Sequence, residues 1–541
     1  MRYSQIATAL QEISLAARSF KAERASAILT EALREPEMLC PVVRLLLGEL
    51  WPAWECREMG VGQQTLKAAL AEVSDLDIAL EWQKSGDIGL VAEAALQHKG
   101  QHSLFSEPLD ALAVYDGLRR VSTLSGTDSE QRKTAILRGL FLVAGPSEGK
   151  YIARTALRRM QAGIGHRIMM VALSSAMNCD LESMERACGL LPDLGEVASQ
   201  ALHQQMDAIT LQPGIPARFM LFSSTQEMAS GPYLPKYPGL RVQIHKTRND
   251  VRIFTSQLRD VTTALNGLAR QLGDLEEGTV LDADLIGFQE ARYEDGLTKT
   301  RICSQAEILR YLNRRRFSRK SSIRPALLAY DLLALHGKSI CGMPYQERRA
   351  MMLSALGEPR GLPFSGIAPA FEKLLADEGA VRDFLIQMQM SGAKALLRRD
   401  LQAFYHPGRV SVSDFLIRPA HRISALIVRV RWGSGQKESD TARYEVAMRC
   451  NDGPVPVGWV RRGLSSEDQV ALSHALRPLL IREDEVGAEV APGILLKLRI
   501  HGAEKRGDDF LVLGPVIEGM SFNASLEEAD DLKLLDGICA R

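Results

Sequence analysis

The spacing of apolar residues changes near residue 211, and this change limits the folds open to the chain. Before that point apolar side chains recur every three or four positions, as in Ile6, Leu10 and Ile13, which predicts helix after helix. The stretch Leu211-Gln212-Pro213-Gly214-Ile215-Pro216 is rich in residues that interrupt regular structure. After it, strand-like patterns appear. A linker therefore separates an all-helical region from a mixed one.

The middle of the chain carries a period-two pattern typical of paired strands. Val242 and Ile244 alternate with polar residues, as do Val251 and Ile253, and the polar stretch 247–250 between them predicts a hairpin. A further strand is expected over 279–288, and helices over 305–316 and 345–356. The region is therefore predicted to be mixed α+β.

The last 120 or so residues are predicted to be mostly strands, with one helix over 465–479. Leu426, Val428, Val430 and Trp432 fall on one face of the first strand, and later strands repeat this alternation. Short strands with one inserted helix favour a small Greek-key barrel of the OB type. The acidic stretch 527–531 is expected to be solvated.

Composition narrows the class of protein. A chain of 541 residues predicts two to four domains, and equal numbers of basic and acidic residues (66 each) exclude a polycationic nucleic-acid coat protein. The eight cysteines form no CxxC pair, so we expect reduced thiols in a cytoplasmic protein and no structural metal. No apolar run approaches the ~20 residues that span a bilayer, so no membrane partner is expected.

Two basic segments could bind nucleic acid. Lys150, Arg154 and Arg158 are spaced four apart on a predicted helix that continues to Arg167, and such a stripe can follow a phosphate backbone. The run 314–320 concentrates further positive charge around one aromatic residue. Both patterns also occur on ordinary solvated helices, so either interpretation stays open here.

Six stretches, in order, resemble the ATP-dependent DNA ligases of the archaeal type. KYPGLR (236–241) resembles their KxDGxR nucleophile motif, and the text that follows it resembles their strand-turn-strand. The other matching stretches are LDADLIGF (281–288), YDLLALHGKSI (330–340), DLQAFYHPGR (400–409), REMGVG (57–62) and EGKYIARTALRRMQAGIG (148–165). Together they span nearly the whole chain.

This resemblance implies an architecture and a set of functional residues. The fold would be multidomain α and α+β. It would comprise a helical DNA-binding domain (1–205), an ATP-grasp-like nucleotidyltransferase domain (206–420) and a C-terminal OB-fold barrel (421–541). Lys236 would be the catalytic nucleophile. The residues implied to bind the nucleotide are Arg241, Asp284, Tyr330 and Arg418, with Asp284 also contacting Mg²⁺ and Lys150, Arg154 and Arg158 contacting DNA.

Several positions depart from the family motifs, and they are positions whose side chains take part in the reaction in that family. Six residues stand at positions where the family motifs have a charged side chain. They are Pro238, Leu234, Ser256, Lys394, Leu416 and Ser521. Removing one preorganised charge from a transition-state site typically costs ~2.7–4 kcal/mol. Glu372, Lys373 and Glu378 are alternatives that could replace the missing groups if they lie near Lys236.

Two functions follow from the resemblance. In the first, the chain is an enzyme that uses ATP and Mg²⁺ to seal nicks in duplex DNA during replication, recombination or repair, and it acts as a monomer. In the second, it is a catalytically degenerate relative that binds nicked or duplex DNA without sealing it. A third interpretation, an unrelated helical scaffold, is disfavoured by the order of the six matches.

Overall fold

A computed structural model describes residues 1–99, 107–292, 298–314, 322–359, 361–432, 442–451, 453–483, 487–506 and 509–539. The chain divides into two compact units. The first comprises Met1–Phe222, Gly239–Phe371 and Leu401–Ser413, and the second comprises Ser223–Pro238, Glu372–Asp400 and Asp414–Arg541. The helices of the described ranges are all too short or too polar to cross a bilayer.

The helices are α1 Tyr3–Leu15, α2 Lys21–Ala32, α3 Pro36–Leu47, α4 Gln63–Ala71, α5 Ile78–Ser85, α6 Ile88–Gln97, α7 Ala111–Thr123, α8 Ser129–Val143, α9 Pro146–Ala156, α10 His166–Met177, α11 Leu181–Leu190, α12 Leu194–Leu202, α13 Asn266–Gln271, α14 Gln305–Leu312, α15 Tyr345–Leu356, α16 Glu378–Met390, α17 Ser466–Leu476 and α18 Lys533–Cys539.

The strands are β1 Leu221–Thr225, β2 Gly231–Lys236, β3 Leu240–Lys246, β4 Val251–Thr255, β5 Val280–Arg292, β6 Thr298–Ile302, β7 Arg324–Leu335, β8 Lys338–Ser339, β9 Ile367–Pro369, β10 Lys373–Leu375, β11 Ala395–Arg398, β12 Val410–Ile417, β13 His421–Arg431, β14 Arg443–Cys450, β15 Gly453–Val460, β16 Leu480–Glu483, β17 Gly487–Val490, β18 Ile494–Ile500, β19 Gly502–Arg506, β20 Asp509–Leu513 and β21 Val516–Phe522.

The first unit holds the helical domain, α1–α12, which packs around one apolar core. Five of its helices, α5, α6, α7, α11 and α12, begin after an aspartate whose side chain caps them. Asp87 accepts hydrogen bonds from the N–H groups of Gly89 and Leu90, and Asp110 does the same for Leu112. These caps satisfy backbone donors that the first helical turn leaves without partners.

The first unit also holds a seven-stranded sheet in the order β4–β3–β5–β7–β8, with β6 paired to β5 and β9 paired parallel to β7. The hairpin predicted over 242–253 is confirmed as β3 and β4. Its turn is closed by the Thr247 N–H, which donates to the Asp250 carbonyl at 2.8 Å. One face of this sheet packs against α13, α14 and α15 in a second apolar core.

A five-stranded sheet, in the order β1–β12–β11–β2–β10, forms most of the nucleotidyltransferase part of the second unit. Tyr233, Leu396 and Ile417 lie on one of its faces and pack with Val381 and Phe384 of α16. The other face carries Lys236.

The C-terminal domain, residues 421–539, is strand-rich as predicted. Its long strand β13 pairs with β14 along one edge and with β17 and β18 along the other, so the sheet encloses a single core. A β-bulge between Ile427 and Arg429 interrupts the alternation expected for β13. Leu426 and Ile427 are both buried for this reason, and Val428 is only half-buried.

The sequence misplaced the end of one predicted helix. The helix expected to run from Lys150 to Arg167 is wrong, because α9 ends at Ala156 and Arg158 adopts a positive φ of 55°. Of the basic run 314–320, residues 315–320 lie outside the described residues. The domain boundaries 1–205, 206–420 and 421–541 stay a prediction, and 206–420 contributes to both compact units.

Candidate active site

Lys236 is the last residue of β2 and lies in the second unit. It stands directly opposite Ala395 of β11, and the Lys394 N–H donates to the Lys236 carbonyl at 2.7 Å. The Lys236 side chain is half-buried, whereas that of Lys394 is exposed. The lysine expected to be the nucleophile therefore emerges at the end of a sheet strand, beside the lysine that occupies the position of a motif glutamate.

The sheet brings two of the motif departures into one row. Leu397 of β11 lies opposite Leu234 of β2 and also opposite Leu416 of β12. Directly opposed residues share a face, and Leu234 is two residues from Lys236, so this row lies on the Lys236 face. Leu234 and Leu397 are fully buried. The positions expected to carry a glutamate and a lysine form an apolar row instead.

Glu372, Lys373 and Glu378 could replace the missing charged groups only if they lie near Lys236, and two of the three do not lie on its face of the sheet. Lys373 lies opposite Tyr233, on the α16 face of the sheet, with its Nζ 5.3 Å from the centre of the Phe384 ring. Glu378 is exposed and forms an ion pair with Arg382 at 2.7 Å. Glu372, immediately before β10, stays a candidate.

Arg241, in the first unit, is held in a buried polar network. Its guanidinium binds both carboxylate oxygens of Asp282 and donates to the Met220 carbonyl. The Tyr405 hydroxyl donates to Asp282 at 2.8 Å. Burial opposes the charge of Arg241, but Asp282 outweighs that effect and raises the Arg241 pKa. Contact between Arg241 and a nucleotide stays a prediction.

Asp282 and Asp331 lie directly opposite each other on β5 and β7, and both are buried. Asp331 forms a two-pronged ion pair with buried Arg348, with both N–O distances at 2.8 Å. Opposed carboxylates repel one another, so each needs its own arginine. Asp282 and Asp284 are only 2% and 4% exposed, so this part of β5 is not a solvated strand face.

Tyr330 is the extra residue of a β-bulge. Asp282 pairs with Asp331 and Ala283 pairs with Ala329, so the strand register skips Tyr330, which lies between Ala329 and Asp331. Bulges redirect side chains and are common beside active sites. The Tyr330 ring is 3% exposed, and its stacking on adenine stays a prediction.

Asp284 is the residue predicted to contact Mg²⁺, and that contact stays a prediction. Asp284 lies opposite Arg241 on β3, Asp282 is already ion-paired, and Lys394 occupies the glutamate position. Within the described ranges no group of three or more His, Cys, Asp or Glu side chains converges. Mg²⁺ at phosphate-transfer sites is usually held by one or two carboxylates together with substrate phosphates and water, so a single carboxylate such as Asp284 is compatible with it.

Arg399 is a further basic residue that could compensate for the missing motif charges. Counting along the same motif that places its glutamate at Lys394, the closing lysine falls on Arg399. Arg399 and Asp414 are both buried, with 3.5 Å between Arg399 Nε and Asp414 Oδ2. In the sequence, the only signal for this ion pair is an acidic residue, Asp414, five residues after Arg409. Arg418 follows the end of β12, and its binding to a cofactor stays a prediction.

The predicted linker is fixed to β3 by side chains on alternate positions. The Gln243 amide exchanges hydrogen bonds with the N–H and carbonyl of Ala217, both at 3.0 Å. The Gly214 N–H donates to His245 Nδ1 at 3.1 Å. Burial, with a smaller contribution from Arg252, lowers the pKa of His245 to about 3, so this imidazole is neutral.

The predicted basic stripe is internal to the helical domain. Lys150 Nζ lies 3.0 Å from Glu93, and Arg154 lies 2.9 Å from Asp87. Burial opposes the charge of Asp87, but the hydrogen bond from Arg154 lowers its pKa overall. Lys150 and Arg154 are 7% and 8% exposed, whereas Arg158 is exposed. DNA contact by these three residues stays a prediction, and Arg158 alone presents its charge to solvent.

The helical domain contains a lysine-supported glycine loop at the start of α4. Gly60 has a positive φ of 59°, and Lys133 of α8 donates to its carbonyl at 2.7 Å. Gly62 caps α4 and has no atom within 4 Å of the position a Cβ would take. The space beside the N-cap residue of α4 is therefore open.

The same arrangement recurs at the start of α10. Gly163 has a φ of 67°, and Lys21 of α2 donates to the neighbouring Ala162 carbonyl at 3.0 Å. Gly165 caps α10, again with open space beside it. Two Gly-x-Gly turns, each held by a lysine from another helix, thus precede two open helix N-termini.

A helical domain followed by an α+β domain with a lysine at a strand end, and then by a small strand-rich domain, defines the class of multidomain nucleotidyltransferases. Residues 2–174 match the family described as DNA ligase N terminus, and 223–411 match the ATP dependent DNA ligase domain. The chain belongs to the ATP-dependent DNA ligase family.

Relatives span almost the full chain. The DNA ligase of Thermococcus onnurineus is 28% identical over 526 residues, which cover 92% of this chain and 90% of the relative. The DNA ligase of Archaeoglobus fulgidus is 26% identical over 538 residues, covering 95% and 94%. The solved structure "Pmar-Lig_Pre" shares the fold, with a TM-score of 0.50 at 12% identity over 95% of this chain and 98% of its own.

Proposed function

We propose that this chain joins DNA strands at nicks in duplex DNA, using ATP and carrying AMP on Lys236 Nζ. The observation that supports this most directly is the position of Lys236, at the end of β2 and just before the turn into β3. That turn needs Gly239, because a Cβ there would lie 2.8 Å from the Leu285 carbonyl oxygen. The family domain that covers this turn is described as ATP dependent.

The chemistry runs in three transfers. The neutral Lys236 amine attacks the α-phosphorus of ATP, so that an N–P bond forms, the P–O bond to pyrophosphate breaks and the amine loses a proton. The 5′-phosphate at a nick then takes the AMP from lysine. Finally the 3′-hydroxyl attacks that phosphate and AMP leaves. Mg²⁺ would offset the charge of the phosphates when bound, and Asp284 is the residue proposed to contact it.

The two glycine loops of the helical domain support duplex DNA as the partner. Open N–H groups at a helix N-terminus bind phosphate oxygens, and the helix dipole favours the negative charge. The loops at Gly62 and Gly165 offer two such positions, and exposed Arg158 and Arg159 lie between α9 and α10. Charge reversal at Arg158 and Arg159 is expected to weaken nicked-duplex binding about tenfold or more and to lower its salt dependence.

The test is self-adenylylation with labelled ATP. Lys236→Ala should abolish covalent label, whereas Lys394→Ala, the neighbouring exposed lysine, should retain it. Loss of label in both variants would mean that adenylylation depends on the positive charge of both lysines, so the result would not single out Lys236 as the nucleophile. Label that persists in Lys236→Ala would show that another residue is modified and would overturn the assignment.

A second function is favoured by one observation, the apolar row Leu234–Leu397–Leu416. A chain that has lost two charged positions on the Lys236 face would bind nicked DNA without sealing it. Absence of label in the wild-type protein, together with retained binding of nicked duplex at moderate salt, would support this function over strand joining. Label restored by Leu234→Glu combined with Leu416→Lys would identify the row as the cause.

We further propose that the protein acts as a monomer in the cytoplasm, in replication, recombination or repair. All eight cysteines are free thiols, as expected in a reducing compartment. Light scattering with and without nicked duplex should give one chain per complex. A dimer in both conditions would contradict the monomer.

A further inference from the structure

The outward face of the C-terminal sheet carries two rows of residues that differ in how their charges are balanced. The first row runs across five strands, and its members are Trp459, Glu445, Arg429, Glu489 and Arg482, each opposite the next. In this row Arg429 lies between two carboxylates, 3.4 Å from Glu445 and 3.6 Å from Glu489. Arg429 is therefore neutralised by its own sheet.

The second row places two arginines directly opposite each other. Arg431 of β13 pairs with Arg443 of β14, and both side chains are exposed. Among the described residues, no carboxylate lies within ion-pair distance of either guanidinium. Like charges directly opposed across a ladder are destabilising, so this pair carries an energetic cost.

The same sheet shows how an opposed arginine pair is neutralised where it has only a structural role. Arg422 and Arg499 also face each other directly. Between them Glu518 accepts from Arg422 Nε at 2.9 Å and from Arg499 Nε at 2.7 Å. These two guanidinium groups lower the pKa of Glu518, so the bridge is ionised. Within the described ranges, the pair Arg431–Arg443 has no carboxylate in that position.

An aromatic ring lies beside the uncompensated pair. Trp459 of β15 is half-buried, and the Arg431 guanidinium carbon is 5.0 Å from its ring centre. A guanidinium over an indole binds a phosphate on its open edge while the ring provides apolar surface next to it. Cations and an aromatic face on a barrel sheet are the combination that binds unpaired nucleotides.

We propose that Arg431, Arg443 and Trp459 form a binding site for single-stranded nucleic acid on the outward face of the C-terminal domain. The arginines bind successive phosphates and the indole stacks on a base. A base can lie against a side-chain ring only when it is free of its pairing partner, which distinguishes this site from one for intact duplex. The proposal does not depend on adenylylation of Lys236.

The test measures binding of the full chain to a labelled oligothymidylate of about 16 nucleotides, the upper site size of one barrel domain. The double variant Arg431→Ala, Arg443→Ala should weaken binding about tenfold or more. Its salt slope should fall by about 1.4, since each phosphate contact on a single strand contributes about 0.7. The matched control is Arg429→Ala on the same strand and face, which should change the affinity less than about twofold because that charge is already neutralised.

Variants of Trp459 distinguish the contribution of base stacking from that of charge. Trp459→Ala should weaken the oligothymidylate complex about tenfold with an unchanged salt slope, and Trp459→Phe should recover part of the loss. Unfolding midpoints of all variants identify any that fail to fold, and the lysine double variant Arg431→Lys, Arg443→Lys keeps the charge for comparison.

Either of two results would overturn the proposal. Equal loss in Arg429→Ala and the double variant would mean that the domain contributes only diffuse charge. Undiminished binding in the double variant and in Trp459→Ala would show that the oligothymidylate binds at another site of the chain. Adenylylation measured without polynucleotide reports separately on the proposed function, so failure of one proposal does not imply failure of the other.

Discussion

At the scale of single residues, the nucleotidyltransferase region of the first unit is organised by buried carboxylates with dedicated arginines. Asp282 is bound by Arg241, and Asp331 is bound by Arg348. A buried ion pair adds little net stability, but removal of one partner leaves an uncompensated charge in a medium of low polarity. The residues that resemble nucleotide-binding positions thus also have a structural role.

Replacement of Arg241 tests that role. Arg241→Ala should lower the free energy of unfolding by about 3–5 kcal/mol, because Asp282 would stay buried without its counter-charge. Arg248→Ala, an exposed arginine in the adjoining turn, should change it by less than about 0.5 kcal/mol. Urea denaturation of both variants measures the difference. Similar small losses in both would mean that Asp282 is neutralised in another way.

His245 makes stability depend on pH. The unfolded imidazole takes up a proton below about pH 6.5, whereas the pKa of the buried one is about 3. Between these values the unfolded state binds more protons, so the free energy of unfolding should fall as pH is lowered, by up to about 1.4 kcal/mol per unit.

The pH prediction is checked by urea denaturation at several pH values between neutral and about 5. His245→Gln should remove this part of the slope, while His203→Gln, at an exposed position, should leave it unchanged. A slope that persists in His245→Gln would assign the effect to other groups.

At the scale of elements, close approach of backbones fixes where helices can pack. Gly189 in α11 faces the carbonyl of Pro407, and a Cβ at that glycine would lie 2.2 Å from the Pro407 oxygen. Nearby, the Arg218 N–H donates to the Gly189 carbonyl at 2.8 Å. The glycine therefore permits the segment around residues 405–410 to dock on the helical domain within the first unit.

Two helical glycines provide a matched pair for this contact. Gly189→Ala should destabilise the protein by about 1–3 kcal/mol, because α11 or the Pro407 segment must move. Gly139→Ala in α8, which has nothing within 4 Å, should stabilise it by about 0.5–1 kcal/mol through the lower entropy of the unfolded chain. Thermal unfolding of the two variants should therefore shift in opposite directions, and a common sign would contradict the packing argument.

At the scale of the whole molecule, the linker after the helical domain is not a loose tether. Leu211, Ala217 and Met220 contribute to an apolar core that also contains Tyr405. Gln243 and His245 hold the linker backbone along β3. Composition alone predicts an exposed connection there, because proline and glycine interrupt regular structure without indicating what packs over them.

Proteolysis tests the fixed linker. Trypsin should cut the wild-type chain slowly after Arg218, since cleavage requires local unfolding of hydrogen-bonded backbone. Gln243→Leu leaves the Ala217 N–H and carbonyl buried without partners and should speed that cut about tenfold or more. Gln271→Leu, an exposed glutamine of the same unit, should not. Rapid cleavage after Arg218 in the wild type would contradict the structural account.

Much of the architecture follows from the sequence. Periodicity and the order of six motifs identified the helical region, the β3–β4 hairpin and a strand-rich C-terminal domain, because local spacing of apolar residues reports which face of an element is buried. The same motifs gave the family and the position of Lys236. The sequence could not place the end of α9, where Ala156 is followed by residues that would continue a helix equally well.

Only the tertiary structure decided which charges are available. Lys150 and Arg154 fit an exposed stripe by spacing, but Glu93 and Asp87 from α6 neutralise them. Arg429 and Arg431 are two residues apart on one strand, but among the described residues only Arg429 has carboxylates on the neighbouring strands within ion-pair distance. Charge pairing depends on residues distant in sequence that approach within a few ångströms, whereas periodicity depends on neighbours along the chain. The sequence therefore determined the elements and the family, and the fold determined which residues can bind.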